Sequence, residues 1–275
     1  MSLSLPNYLT RIGFEGKPHA DLETLRRIHR LHLEAIPYEN LDVQLGCIVG
    51  FDLHEIYRKL VLSRRGGWCY EMNGLMAWAL EEIGFNVTRL AGAVLRDKVG
   101  DESIGAHLAL CIQLDDPYLV DVGFGDGLIE PMPIAVGSVR QDDFDFRLES
   151  IDSSWWRFHN QPHGGAPTFD FQLTEAPFER LARRCDWLQS AAESPFVQNA
   201  VCQRYKKGEL AALRGRSLKL VRGRDVEKLT IESMDEYESV LGNVFGIELS
   251  ATDLHRLWQK VVARHEIWVR EQANA

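Results

Sequence analysis

At Gly84–Phe85 the spacing of the apolar residues changes from helical to strand-like. Before that point Leu22, Leu25, Ile28, Leu31 and Leu33 recur at helical spacing, and so do Met72, Leu75, Met76, Ala79, Leu80 and Ile83. Asp21 is placed to cap the first of these runs, and Pro37 to end it. Asp52 and Glu55 give a capping-box pattern ahead of Ile56, Leu60 and Val61. Gly84 stands where a helix C-terminal cap belongs.

Beyond Phe85 the segments VTRLAGAVL, HLALCIQL, YLVDVGFG, WWRFHN and TFDFQL are short and rich in β-branched and aromatic residues. The turn signal DDPY predicts an antiparallel hairpin between HLALCIQL and YLVDV. Residues 177–213 read as irregular and partly helical. SLKLVRG and EKLTIES suggest a further hairpin, and MDEYESVLGNVF and TDLHRLWQKVVARHEIWVRE two closing helices. The expectation is an α+β chain with a helical N-terminal part, a β middle and an α/β C-terminal part.

Composition narrows the function classes. A net charge of −9 over 275 residues argues against nucleic acid as partner, because phosphate binding needs a basic surface. No apolar run approaches a membrane span, and MSLSLPNYLT lacks the basic and apolar regions of a secretory signal. The cysteines are Cys47, Cys69, Cys111, Cys185 and Cys202, an odd number at wide spacing without a C-x-x-C pair. That disfavours a disulfide framework or a zinc site and points to a reducing cytoplasm.

One cysteine stands apart. In RRGGWCYEMN, Cys69 falls at the start of the helical run that ends at Gly84. Unpaired N–H groups at a helix start favour a thiolate over a thiol. Gly66 and Gly67 remove bulk before the sulfur and leave room for a substrate to approach, while Arg64 and Arg65 add positive charge. Without those features a packed, inert cysteine is the commoner reading of such a residue. A nucleophile needs a base. Most of the nine histidines sit in polar, helix-face or turn contexts, where solvation is the expectation. His107 opens the run HLALCIQL, and Asp121 sits among the apolar residues Leu119, Val120, Val122 and Phe124. A carboxylate there needs a partner, and an imidazole would serve. A tight hairpin around DDPY would leave Asp121 about four residues, some 13 Å, out of step with His107. A bulge, a bend or another pairing is therefore expected. GFGDGLIEP is not a dinucleotide fingerprint, since Pro131 and Pro133 deny the following helix.

RGGWCYEMN, PYENL at 37–41, AHLAL, VDVGFG and SPFVQN at 194–199 occur in the order of, and resemble, motifs of the arylamine N-acetyltransferase family. The resemblance implies a helical bundle (1–84), a central β-barrel (85–195) and an α/β lid (196–275), with a cysteine-protease-like catalytic core. It implies Cys69 as acetyl-accepting nucleophile, His107 as its base and Asp121 as the orienting acid. It implies acetyl-CoA as donor substrate, no permanently bound cofactor or metal, and arylamines, arylhydrazines or hydrazides as acceptors in a ping-pong reaction of xenobiotic metabolism. Tyr38, Phe124, Gly125 and Phe196 are the candidate substrate and CoA contacts; Tyr38 replaces the commoner Phe of that segment. An amide synthase or thioesterase on the same triad, or a non-enzymatic binding protein that keeps the fold, is the alternative.

Overall fold

The computed structural model describes residues 2–273. The N-terminal helices include Leu5–Ile12, Leu22–Ala35 and Leu53–Tyr57, the last running on as a π-helix over Arg58–Leu62. The Asp21 carboxylate accepts from the Thr24 N–H at 2.8 Å, as its position before the apolar run predicts. Helix Cys69–Ile83 is the centre of this part. Its residues from Cys69 to Leu80 are buried apart from Gly74, so it is a core helix without a solvent face. Gly84 closes it at φ 106°.

Eight antiparallel strands form a barrel-like sheet in the order Met132–Pro133, Pro117–Val120, Ile104–Gln113, Asn86–Val94, Thr168–Phe171, Trp156–His159, Phe144–Ser150 and Gly137–Gln141. Inward-facing Phe144, Phe146, Phe158, Phe169 and Phe171 fill it, and all are buried. Ring centroids of Phe158 and Phe169 lie 5.0 Å apart, so the interior is close-packed aromatic surface. A second sheet pairs Tyr38–Glu39, Val201–Lys206, Glu209–Arg214, Ser217–Arg222 and Asp225–Thr230. Helices Met234–Val240 and Ala251–Ala273 cover it with Tyr237, Leu254 and Leu257. The chain is thus α+β in three parts, with one short strand of the N-terminal part built into the last sheet.

Three expectations change. Residues 177–213 hold a regular helix, Phe178–Ser190, and two strands, Val201–Lys206 and Glu209–Arg214. Lys207 (φ 52°) and Gly208 (φ 77°) make the tight turn between those strands. The run YLVDVGFG stops being a strand at Val120, so Asp121 lies one residue past its end. The hairpin forms as predicted, but its register pairs Leu110 with Val120 and Gln113 with Pro117. Extending that register sets Asp121 level with Ala109, two residues from His107 on the same strand face, within diagonal side-chain reach. The irregularity lies on the other side of His107, where the register to the neighbouring strand shifts between Gly92 and Ala93.

Candidate active site

Cys69 begins its helix, so its own N–H has no intrahelical partner. Glu71 steadies that start by accepting the Trp68 N–H at 3.2 Å and the Lys59 ammonium at 2.8 Å. Arg65 is not a solvated charge. It donates to Glu39 at 2.7 Å and to Asp42 at 2.9 Å. Gly66 and Gly67 are glycines for a packing reason, not for substrate approach. A Cβ on Gly66 would run into the Pro37 carbonyl, and one on Gly67 would lie 2.7 Å from the Glu71 carboxylate.

The three residues singled out by the sequence come together. His107 Nε2 lies 2.6 Å from Asp121 Oδ2. The carboxylate only accepts, so Nε2 carries the proton, and the neighbouring Cys69 thiol favours the charged ring. Cys69, His107 and Asp121 are 3%, 2% and 2% exposed, so bulk water is kept from the group. Burial pulls the His107 imidazolium down. The Asp121 charge and hydrogen bond, with the Cys69 contact, outweigh it and push His107 up to about 10.

Asp121 is held by groups the sequence did not single out. Its Oδ1 accepts from Asn73 Nδ2 at 2.8 Å and from the Gly123 N–H at 2.9 Å. Asn73 also donates to Leu108 O and accepts the Val122 N–H. It lies one helical turn after Cys69, so one helix face carries the sulfur and the amide that steadies the acid. The expectation of solvated histidines fails at His29 and His32, both fully buried. Their signal was legible, since they continue the face of Leu25, Ile28 and Leu33.

Three of the four candidate contact residues lie in one group beside this centre. The Phe124 ring lies 5.0 Å from the His107 ring. Gly125, at φ 79°, runs against Tyr38 and Gln203. Tyr38 is buried, in strand pairing with Gln203 and bridged to Gly67. Burial raises its phenol, with the neighbouring Cys69 and Asp126 adding to the effect, so it stays protonated. Phe196 packs edge-on against Trp68, 5.5 Å away, rather than in the group around Phe124. Asp126 was also missed. It accepts from Gly165 N at 2.6 Å, Asn160 at 2.9 Å and Gln203 at 2.6 Å, tying the loop after Asp121 to the last sheet. Among the described residues no cluster of metal-ligating side chains occurs, and no helix is long and apolar enough to cross a membrane.

A buried thiol at a helix start, an imidazole against it and a carboxylate behind the imidazole make up the constellation of cysteine acyl-transfer enzymes. The N-acetyltransferase family profile matches residues 21–254. The arylamine N-acetyltransferase of Mycolicibacterium smegmatis is 34% identical over 90% of this chain and 94% of its own. A solved structure of the M. smegmatis enzyme covers 94% of this chain and 98% of its own, at 32% identity and a TM-score of 0.85. That of Mycobacterium marinum arylamine N-acetyltransferase in complex with CoA covers the same shares, at 29% identity and 0.82. The chain belongs to the arylamine N-acetyltransferase family.

Proposed function

We propose that the protein moves an acetyl group from acetyl-CoA to the nitrogen of an arylamine, arylhydrazine or hydrazide through an acetyl thioester on Cys69. The observation that carries this reading is the 2.6 Å contact between His107 and Asp121, buried together with Cys69 at its helix start. Sulfur attacks the acetyl carbonyl, and the Cys69 N–H, unpaired at the helix start, is a donor available to the developing oxyanion. With His107 pushed up to about 10, the imidazolium persists at neutral pH and can protonate the departing CoA sulfur. The acceptor amine then attacks the thioester and gives its proton back to His107. Tyr38, Phe124, Gly125 and Phe196 are proposed to flank donor and acceptor.

Residues 1–84, 85–195 and 196–275 are proposed to act as helical, barrel and lid units. The lid role draws on Asn40 and Gln44, which donate to the Phe196 carbonyl and hold the start of the last unit beside Trp68. Intact-protein mass spectrometry after mixing with acetyl-CoA and no acceptor tests the reading. One added acetyl group mapping to Cys69 is expected. A label on a lysine, or none, would sink it.

A further inference from the structure

His29 sits in the middle of helix Leu22–Ala35 and is fully buried. Its two ring nitrogens are engaged in opposite senses. Nε2 accepts the backbone N–H of Asp121 at 3.2 Å. Nδ1 lies 2.9 Å from the Ile129 carbonyl, which only accepts, so Nδ1 carries the proton. The ring is therefore neutral and in one tautomer, fixed by both partners. Its partners are the two ends of one loop, residues 121–129, which begins with Asp121 and includes Phe124 and Gly125. From the far end Gln141 adds to the clamp by accepting the Ile129 and Glu130 N–H groups.

We propose that His29 is a positioning residue for the reaction: as a neutral strut it fixes the loop 121–129 to the helix, and thereby sets the Asp121 carboxylate against His107 and Phe124 against the His107 ring. This rests on the triad reading above. Asn73 holds the carboxylate itself; His29 holds the backbone from which that carboxylate projects. The charged or titratable groups facing it are Asp121 and Glu130, with His32 one turn on and Arg11 beyond. Burial depresses its protonation to about 4, the hydrogen bond to Ile129 and the Asp121 and Glu130 charges only partly offsetting it. A protonated ring would turn Nε2 into a donor facing another donor.

The test compares the unaltered protein with His29→Leu and His29→Gln, since a Gln amide can accept from Asp121 and donate to Ile129 where Leu can do neither. In the unaltered protein, nitrogen-detected NMR should show His29 neutral with the proton on Nδ1 from pH 5 to 8. His29→Leu should slow release of CoA from acetyl-CoA roughly 10- to 100-fold, as for a misplacement of about an ångström. It should also bring the His107 titration down toward its ordinary value, and His29→Gln should restore much of both. A merely structural histidine would lower thermal stability and leave the His107 titration alone. His29 titrating between pH 5 and 8, or a folded His29→Leu with an unshifted His107, overturns the proposal. If His29→Leu does not fold, the tautomer in the unaltered protein decides. Failure of the unaltered protein to acetylate Cys69 would remove the triad and this role together, whereas an unshifted His107 beside normal acetylation removes this role alone.

Discussion

Asn73 commits its whole amide to the backbone and side chain around Asp121, which makes it the residue whose chemistry is easiest to invert. Asn73→Asp keeps the shape and replaces two N–H donors by a carboxylate 2.8 Å from the Asp121 carboxylate. Two carboxylates so close cannot both ionise, and the pair takes up a proton. Release of CoA from acetyl-CoA should fall by about 100-fold at pH 8 and recover partly as the pH drops and the shared proton restores a donor. A pH profile parallel to that of the unaltered protein would mean Asn73 does not hold the acid. Cys69→Ser should abolish transfer with the fold intact, and Asp121→Asn should lower it by roughly 10³-fold or more; full activity in Asp121→Asn would remove it from the triad. Cys69, His107 and Asp121 were legible because each is odd for its place: a thiol at a helix start, an imidazole opening a strand, a carboxylate amid apolar neighbours. The role of Asn73 and the partners of buried His29 were not, because most of those partners are backbone groups 35 to 100 residues away. Nothing in a sequence marks a distant amide.

At the scale of elements, the start of the Cys69 helix is set by charges beneath it. Glu39 N–H donates to Gly67 O at 2.9 Å, which joins the strand Tyr38–Glu39 to the turn before the cysteine. The Glu39 side chain is 0% exposed, and its cation is Arg65, whose side chain is 17% exposed. Asp42 bridges Arg65 to Lys59, and Lys59 reaches Glu71. Removing one member of a buried pair strands the other. Arg65→Met should therefore destabilise the protein by about 3–5 kcal/mol in urea unfolding, and adding Glu39→Gln should return part of that loss. A cost under about 1 kcal/mol, typical of a surface pair, would show that the helix start stands without this network. Local pattern located the helices after Asp21 and before Gly84, the two closing helices and the two expected hairpins, because Asp21, Gly84 and DDPY are short-range signals; helix Phe178–Ser190 has no such signal. Two other hairpins, 137–150 and 201–214, were passed over, although the strand Phe144–Ser150 alternates. Their turns use Asp142 (φ 51°) and the Lys207–Gly208 pair, and charged residues crowd the strands beside them.

The whole molecule closes around the site through contacts between its parts: His29 from a helix to the loop 121–129, Asp126 from that loop to Gln203 on the last sheet, Asn40 from the first part to Phe196. Two buried histidines in this arrangement respond to pH in opposite directions, and stability should show it. His107 binds its proton more tightly folded, at about 10, than unfolded, near 6.5. Its contribution is complete below pH 6.5 and is lost as the pH rises toward 10. His29 binds its proton more weakly folded, at about 4. Its contribution is complete above pH 6.5 and is lost as the pH falls toward 4. Each group changes the unfolding free energy by at most about 1.4 kcal/mol per pH unit, so the two together favour a maximum near neutrality. Other carboxylates titrate in the acid limb too, so the informative quantity is a difference. His29→Gln offers an acceptor and a donor to the same two partners and carries no titrating group. Relative to it, the unaltered protein should lose about 1 kcal/mol per unit between pH 6 and 4.5 and almost nothing above pH 7. Urea unfolding at half-unit intervals measures both curves. Parallel curves through the acid range would mean that His29 takes up a proton as readily folded as unfolded, which a ring accepting the Asp121 N–H cannot do.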